Sequence, residues 1–147
     1  MNKIKIVVTG LGVLSPNGNS VNNFWRNCLN GISGIDNITY YNSEGHRVTI
    51  AGELSNFKAQ NTLDAKLIRK LDPFSIYALT TADEAISMSK IDFDSCNPDR
   101  IGVTVGTGVG GIQTLEEQHH IIKEKGSRRV SPQFVPRMIS NIAGGHI

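Results

Sequence analysis

From Ile4 to Thr9 the chain is apolar and β-branched apart from Lys5, and Gly10 closes the run, the pattern of a short buried strand. Gly10 to Gly18 is crowded with turn residues, and Ser20 offers an N-cap to a helix reaching about Asn30. Phe24, Trp25, Cys28 and Leu29 fall at helical spacing as its expected buried face, and Gly31 stands where a C-terminal glycine would stop it. Residues 32–47 are polar and turn-rich, whereas Val48 to Glu53 alternates weakly, as in a strand exposed on one side. Asp64 to Leu71 predicts a short helix. A longer one runs from Pro73, well placed at a first helical position, to about Lys90, with Ile76, Leu79, Ala82, Ala85 and Ile86 on one face. Asp92 to Asp99 reads as a linker and Ile101 to Gly106 as a second buried strand. A glycine loop, Gly106 to Gly111, leads into a helix from Ile112 to about Lys125, ended by Gly126. A last helix is expected from Val135 or Pro136 to Ala143, with a strand beginning at Gly144 to Ile147.

Alternating strands and helices argue for an α/β architecture, although three strand candidates are few for a complete sheet of this class. The 147 residues suit one domain, and 39% apolar with 19% charged residues is a globular composition. A net charge of +2 is too mild to argue for nucleic acid or a membrane as partner, so neither is expected. Cys28 and Cys96 are too few and too far apart for a disulfide framework. Cys28, on an apolar helix face, reads as an inert thiol, and Cys96 has no histidine near it in sequence. The N-terminal apolar run is too short for a signal peptide and no stretch approaches a membrane span, so the chain is expected in the reducing cytoplasm.

Gly106-Thr107-Gly108-Val109-Gly110-Gly111 satisfies G-x-G-x-x-G between a strand and a helix, a geometry that can hold a pyrophosphate on backbone amides. The context departs from a dinucleotide site. No strand ending in an acidic residue follows, only a helix carrying Glu124 and then Gly126-Ser127-Arg128-Arg129, which favours glycines lining a tight turn. Gly10-Leu11-Gly12 lacks both a third glycine and the Lys-Ser/Thr of a phosphate loop. His119 and His120, adjacent on a helix, point about 100° apart and do not chelate one metal, and no Cys or His elsewhere has ligand spacing; no metal site is expected. Lys66, Arg69 and Lys70 share one face of a predicted helix, and Arg128-Arg129 form a second basic pair. From charge alone, a solvated face balanced by Asp64 and Asp72 is the simpler reading, with docking of an acidic helix the alternative.

Several segments, in order along nearly the whole chain, resemble one family. They are Ile6-Val7-Val8-Thr9-Gly10-Leu11-Gly12-Val13-Leu14-Ser15-Pro16-Asn17-Gly18; Phe24-Trp25 with Leu29, Gly31 and Gly34-Ile35; Arg69-Lys70-Leu71-Asp72 with Phe74; the glycine loop with Glu116-Glu117; Arg128-Arg129-Val130-Ser131-Pro132; and Phe134-Val135-Pro136 with Asn141-Ile142-Ala143-Gly144-Gly145. They are similar to the elongating type II β-ketoacyl–acyl carrier protein synthases. The resemblance implies a thiolase-like α/β fold of five alternating helix and sheet layers, of which residues 1–147 would form an incomplete N-terminal half, cut before the nucleophilic cysteine.

The implied reaction is condensation of an acyl thioester with malonyl-carrier protein in chain elongation, without a cofactor. The catalytic cysteine, histidines and lysine would lie beyond Ile147, so no catalytic residue is expected here and the chain alone should be inactive. By the same resemblance Val109 matches the end of the acyl pocket, Gly108 and Gly110 let backbone approach the acyl chain, and Phe134 and Met138 lie near a dimer interface and the distal pocket. Lys66, Arg69, Lys70, Arg128 and Arg129 match a docking face for acyl carrier protein, which reverses the reading from charge alone. The family implies a homodimer in full-length form. The competing expectations are a non-catalytic module that binds carrier protein or a ketosynthase, and a nucleotide-binding domain on the glycine loop.

Overall fold

The computed structural model describes residues 5–147; Met1–Ile4, which include the first residue of the expected opening strand, lie outside them. The described residues group into two units. One holds the chain up to Lys58 together with Asp83–Ile91, the other Ala59–Ala82 with Asp92–Ile147.

In the first unit, α1 (Val21–Leu29) starts where Ser20 caps it, its hydroxyl accepting from the Asn23 amide at 3.3 Å. Asn30 ends it and Gly31 follows with φ +66°, a conformation that costs glycine least. The polar stretch 32–47 contains a strand that its composition hides: β1 (Ile35–Asn37) pairs antiparallel with β2 (Ile50–Gly52), Asp36 opposite Ala51. Ser15 and Gly18 exchange backbone hydrogen bonds at 3.0 Å in each direction, which closes the expected turn. The stitch of this unit is Glu84. Its Oε2 accepts from the Val13 amide and its Oε1 from the Val21 amide, both at 2.8 Å, so one carboxylate fixes the loop and the first residue of α1. A Cβ at Gly10 would collide with the Ala85 carbonyl, so glycine lets this loop lie against the helix backbone.

No described residue of the first unit is buried, which corrects the expected buried face of α1. Trp25 is 61% exposed and Leu29, Ile32 and Cys28 are exposed too. The expected opening strand pairs with nothing among the described residues, and Ile6 is 96% exposed. The hairpin is tied by Glu53, just after β2, which accepts from the Thr39 hydroxyl at 2.6 Å and from the Thr39 and Tyr40 amides at 2.9 and 3.2 Å. The Thr39 hydroxyl chiefly holds its carboxyl below the usual glutamate range; desolvation opposes this, and the Thr39 and Tyr40 amides add smaller lowering contributions.

Among the described residues, all the buried ones lie in the second unit. α2 (Ala65–Ile68) is capped by Asp64, and α3 (Pro73–Ser89) begins in this unit and continues into the first beyond Ala82. The linker 92–99 folds into two 3₁₀ turns, Phe93–Ser95 and Pro98–Arg100. α4 (Ile112–Lys125) has the predicted bounds, with Gly126 at its C-cap. The last helix is split: α5 (Phe134–Met138) ends at Ile139, and α6 (Ile142–His146) occupies the place of the expected terminal strand. Ile101–Gly106 forms no strand pairing among the described residues, and Ile101 and Val103 are exposed, so the expected second buried strand is not formed. An apolar run specifies a buried strand only if a partner strand and two covering layers are at hand.

Two outcomes follow. With Ile6, Val8, Trp25 and Leu29 exposed, the chain is expected to self-associate at micromolar concentration; a monomer by light scattering that melts cooperatively would contradict this. A lowered folded-state carboxyl stabilises fully above the unfolded value and loses its effect as pH falls through the folded one. Protection of the Thr39 and Tyr40 amides, corrected for intrinsic exchange, should hold above the ordinary glutamate value of about 4.3 and fall below it, and Glu53→Gln should flatten the dependence. Equal pH dependence in wild type and variant would contradict it.

Candidate functional site

Asp72 organises the second unit. Pro73 opens α3 directly after it, needing no amide partner, and Asp72 Oδ1 accepts from the Phe74 amide at 3.2 Å. Its Oδ2 accepts from the Thr114 amide at 2.8 Å and the Thr114 hydroxyl at 2.7 Å. α4 has Gly111 at its N-cap, which supplies no side-chain cap, so the carboxylate of a residue 42 positions earlier caps it instead. One buried anion, 2% exposed, therefore serves the N-termini of two helices, where both partial charges favour it. No basic group lies within ion-pair distance of it among the described residues.

The glycine loop is held at one end by this arrangement. The Gly111 amide donates to the Met138 carbonyl at 2.9 Å, the Gly110 amide to the Thr107 hydroxyl at 3.1 Å, and the Ile112 amide to the Gly110 carbonyl at 2.9 Å. A Cβ on Gly111 would lie 2.6 Å from the Arg137 carbonyl and 3.1 Å from the Asp72 carboxyl carbon. Gly110 has φ +78° and would meet the Met138 carbonyl at 2.5 Å, whereas Gly106 and Gly108 face nothing within 4 Å. The structure thus brings Gly110 and Met138 together, leaves Gly108 open, exposes Val109 by 59% and half-buries Phe134. Arg137 adds a tie from α5 to Leu71, its Nη2 donating to the carbonyl at 3.3 Å. These contacts also answer the nucleotide reading. The Gly110, Gly111 and Ile112 amides at this helix start already have internal acceptors, and the Thr114 amide is held by a carboxylate whose charge repels phosphate.

All five expected docking bases are exposed and lie in this same unit. Lys66 sits in α2 and Arg69 caps it, but the helix stops at Ile68. Lys70 follows in a tightened turn, its amide donating to the Leu67 carbonyl at 2.8 Å, so the three bases do not share one continuous helix face. Arg128 and Arg129 sit in the 3₁₀ turn Ser127–Arg129 after α4, and buried Gln118 holds the following loop by accepting from the Ser131 amide at 2.8 Å. The acids expected to balance these bases are engaged elsewhere: Asp64 caps α2 through the Lys66 and Leu67 amides, and Asp72 is buried. None of the five bases has an ion pair or a side-chain hydrogen bond among the described residues.

Other candidates come to little. Cys28 is exposed, correcting its expected burial, and receives a 3.3 Å hydrogen bond from the Asn17 amide group. His120 lies 3.1 Å from Glu124 one turn on, and among the described residues no three His, Cys, Asp or Glu side chains gather as a metal set would. No described helix is long and apolar enough to cross a membrane. Asp72 has one legible sequence signal, an acidic residue directly before a helix-opening proline; nothing in the sequence marks Thr114 as its partner.

Residues 3–147 match the family model of the beta-ketoacyl synthase N-terminal domain. Over 144 residues the chain is 44% identical to 3-oxoacyl-[acyl-carrier-protein] synthase 2 of Staphylococcus aureus (strain MRSA252), covering 98% of this chain and 35% of that protein. Among solved structures, it is similar to a type II polyketide ketosynthase in complex with its acyl-carrier protein and bound to the hexaketide, with TM-score 0.77 at 25% identity, 95% of this chain and 36% of that one. It is also similar to the ishigamide ketosynthase/chain length factor, with TM-score 0.82 at 22% identity, 93% of this chain and 34% of that one. The chain spans about a third of the length of the relatives it matches, and the thiolase-like α/β fold expected from the sequence is the fold of these neighbours.

The two open-pattern glycines separate experimentally. Gly110→Ala forces a side chain into positive φ against the Met138 carbonyl and should cost about 1–3 kcal/mol, while Gly108→Ala should stay within about 1 kcal/mol of wild type, both read by urea unfolding. Equal costs would contradict the anchored-end description of the loop.

Proposed function

The chain belongs to the beta-ketoacyl synthase family, and from that premise we propose that it is the N-terminal portion of an elongating 3-oxoacyl-ACP synthase, ending before the nucleophilic cysteine. In this reading the whole enzyme takes an acyl group from carrier protein onto a cysteine thiolate, which displaces the carrier's thiol. Decarboxylation of malonyl-carrier protein then gives a carbanion that attacks the acyl-enzyme thioester, releasing the thiolate and forming the carbon–carbon bond. Residues 1–147 supply no catalytic group. They supply scaffold, an acyl-pocket loop and a carrier-docking face, in an enzyme that works as a homodimer.

The observation that carries this reading is the set of unpaired cations on the second unit, Lys66, Arg69, Lys70, Arg128 and Arg129, whose expected acidic neighbours are used internally. Exposed unpaired bases steer an acidic partner at little desolvation cost, and a ketosynthase of similar fold has been solved with its acyl-carrier protein. Val109, between open Gly108 and anchored Gly110, is the residue proposed to close the acyl pocket, with Phe134 and Met138 farther along its wall.

The test uses a synthase in which residues 3–147 replace the matching third of the Staphylococcus aureus relative. Arg69→Glu with Lys70→Glu should weaken carrier-protein binding about tenfold or more at low salt, with the difference shrinking as salt rises. Unchanged binding at low salt would sink the docking assignment.

A further inference from the structure

The glycine loop has a fixed end and a free end. Towards Gly106 and Gly108 nothing in the structure lies within 4 Å of where a side chain would begin. Towards α4 the tertiary anchors converge within five residues, Gly110 on Met138 and Ser140, the Gly111 amide on Met138, and Thr114 on Asp72, while on the other side the Thr107 hydroxyl ties back to the Gly110 amide. Val109 stands between the two regimes, so its position follows the first turn of α4. That turn has no cap from its own sequence, and the Asp72 carboxylate supplies it across 42 residues of chain. Asp72 also begins α3 and directly follows Leu71, whose carbonyl accepts from Arg137.

We propose that Asp72, acting through Thr114, is the positioning residue that sets where Val109 sits and thereby the acyl length the enzyme accepts. This rests on the proposed reading of the Val109 loop as the end of the acyl pocket. Asp72 is too buried to meet substrate or carrier protein, so its effect reaches the pocket only through α4 and the loop. It separates from the docking bases in a definite way: α2 has its own cap in Asp64, so loosening Asp72 leaves Lys66 and Arg69 held. The carboxylate is suited to the task because it is planar and accepts at both oxygens, one for each helix; an amide at this place has one acceptor oxygen and must leave one helix uncapped.

The experiment takes the replacement synthase described above and measures kcat/KM for a shorter and a longer acyl-carrier substrate in wild type and in Asp72→Asn, Thr114→Val, Thr114→Ser and Val109→Phe. Thr114→Val keeps the main-chain bond to Asp72 and is the variant to rely on if Asp72→Asn does not fold. Asp72→Asn and Thr114→Val should shift the long-to-short ratio by about threefold or more with KM for carrier protein within about twofold, since a small misplacement of a positioning element is felt in the reacting geometry. Thr114→Ser should restore the wild-type ratio. Lowered thermal stability with an unchanged ratio, in an enzyme where Val109→Phe does change it, would overturn the proposal and reduce Asp72 to a structural cap. If Val109→Phe leaves the ratio unchanged, or the folded wild-type replacement does not elongate, the pocket reading fails and the proposal falls with it.

Discussion

A carboxylate with no base within ion-pair distance among the described residues stays buried in the second unit because two helices aim their first amides at it. Asp72 receives three hydrogen bonds, each to a charged acceptor and worth about 1.5–3 kcal/mol. Against this stands the cost of removing an anion from water, several kcal/mol, so the site is stable only while all three donors are in place. That condition fixes the chain on both sides. It sets where α3 begins, where α4 begins, and how far the glycine loop must travel between Gly106 and Ile112. Glu84 does similar work in the first unit with two amides, those of Val13 and Val21. In each unit a single acidic side chain ties together segments far apart in sequence.

The sparse core explains the rest of the surface. Among the described residues the buried apolar ones are Ala59, Leu71, Ile76 and Ala143, all in the second unit, and Asp72, Ser75, Thr114 and Gln118 are buried there too. Large apolar side chains that the pattern assigns to strands and to a helix face lie open to water instead. The relatives this chain matches are about three times its length. The exposed bases differ in kind: they are charged, without ion pairs among the described residues, and their neighbouring acids Asp64 and Asp72 are used internally.

Local signals were legible and long-range ones were not. Ser20, Gly31, Asp64, Pro73 and Gly126 each mark an element boundary by a cap, a turn or a missing amide, and α1, α3 and α4 lie where these residues put them, while α2 starts after Asp64 but stops at Ile68, short of the expected Leu71. Strands were misjudged in both directions. Ile101–Gly106 has the right side chains and no partner, while Ile35–Asn37 has a poor composition and pairs because β2 is available. The terminal strand is replaced by helix Ile142–His146, although Gly144 and Gly145 each disfavour helix by about 1 kcal/mol. The bond between Asp72 and Thr114 spans 42 positions, and no periodicity or spacing records it.

The central claim is that this one contact is energetically coupled to the start of α4. A double-mutant cycle of Asp72→Asn and Thr114→Val, read by urea unfolding of the replacement synthase, measures it directly. The account predicts a coupling of about 1–3 kcal/mol, as for a buried pair in a shared hydrogen-bond network. Additivity within about 0.3 kcal/mol would contradict it.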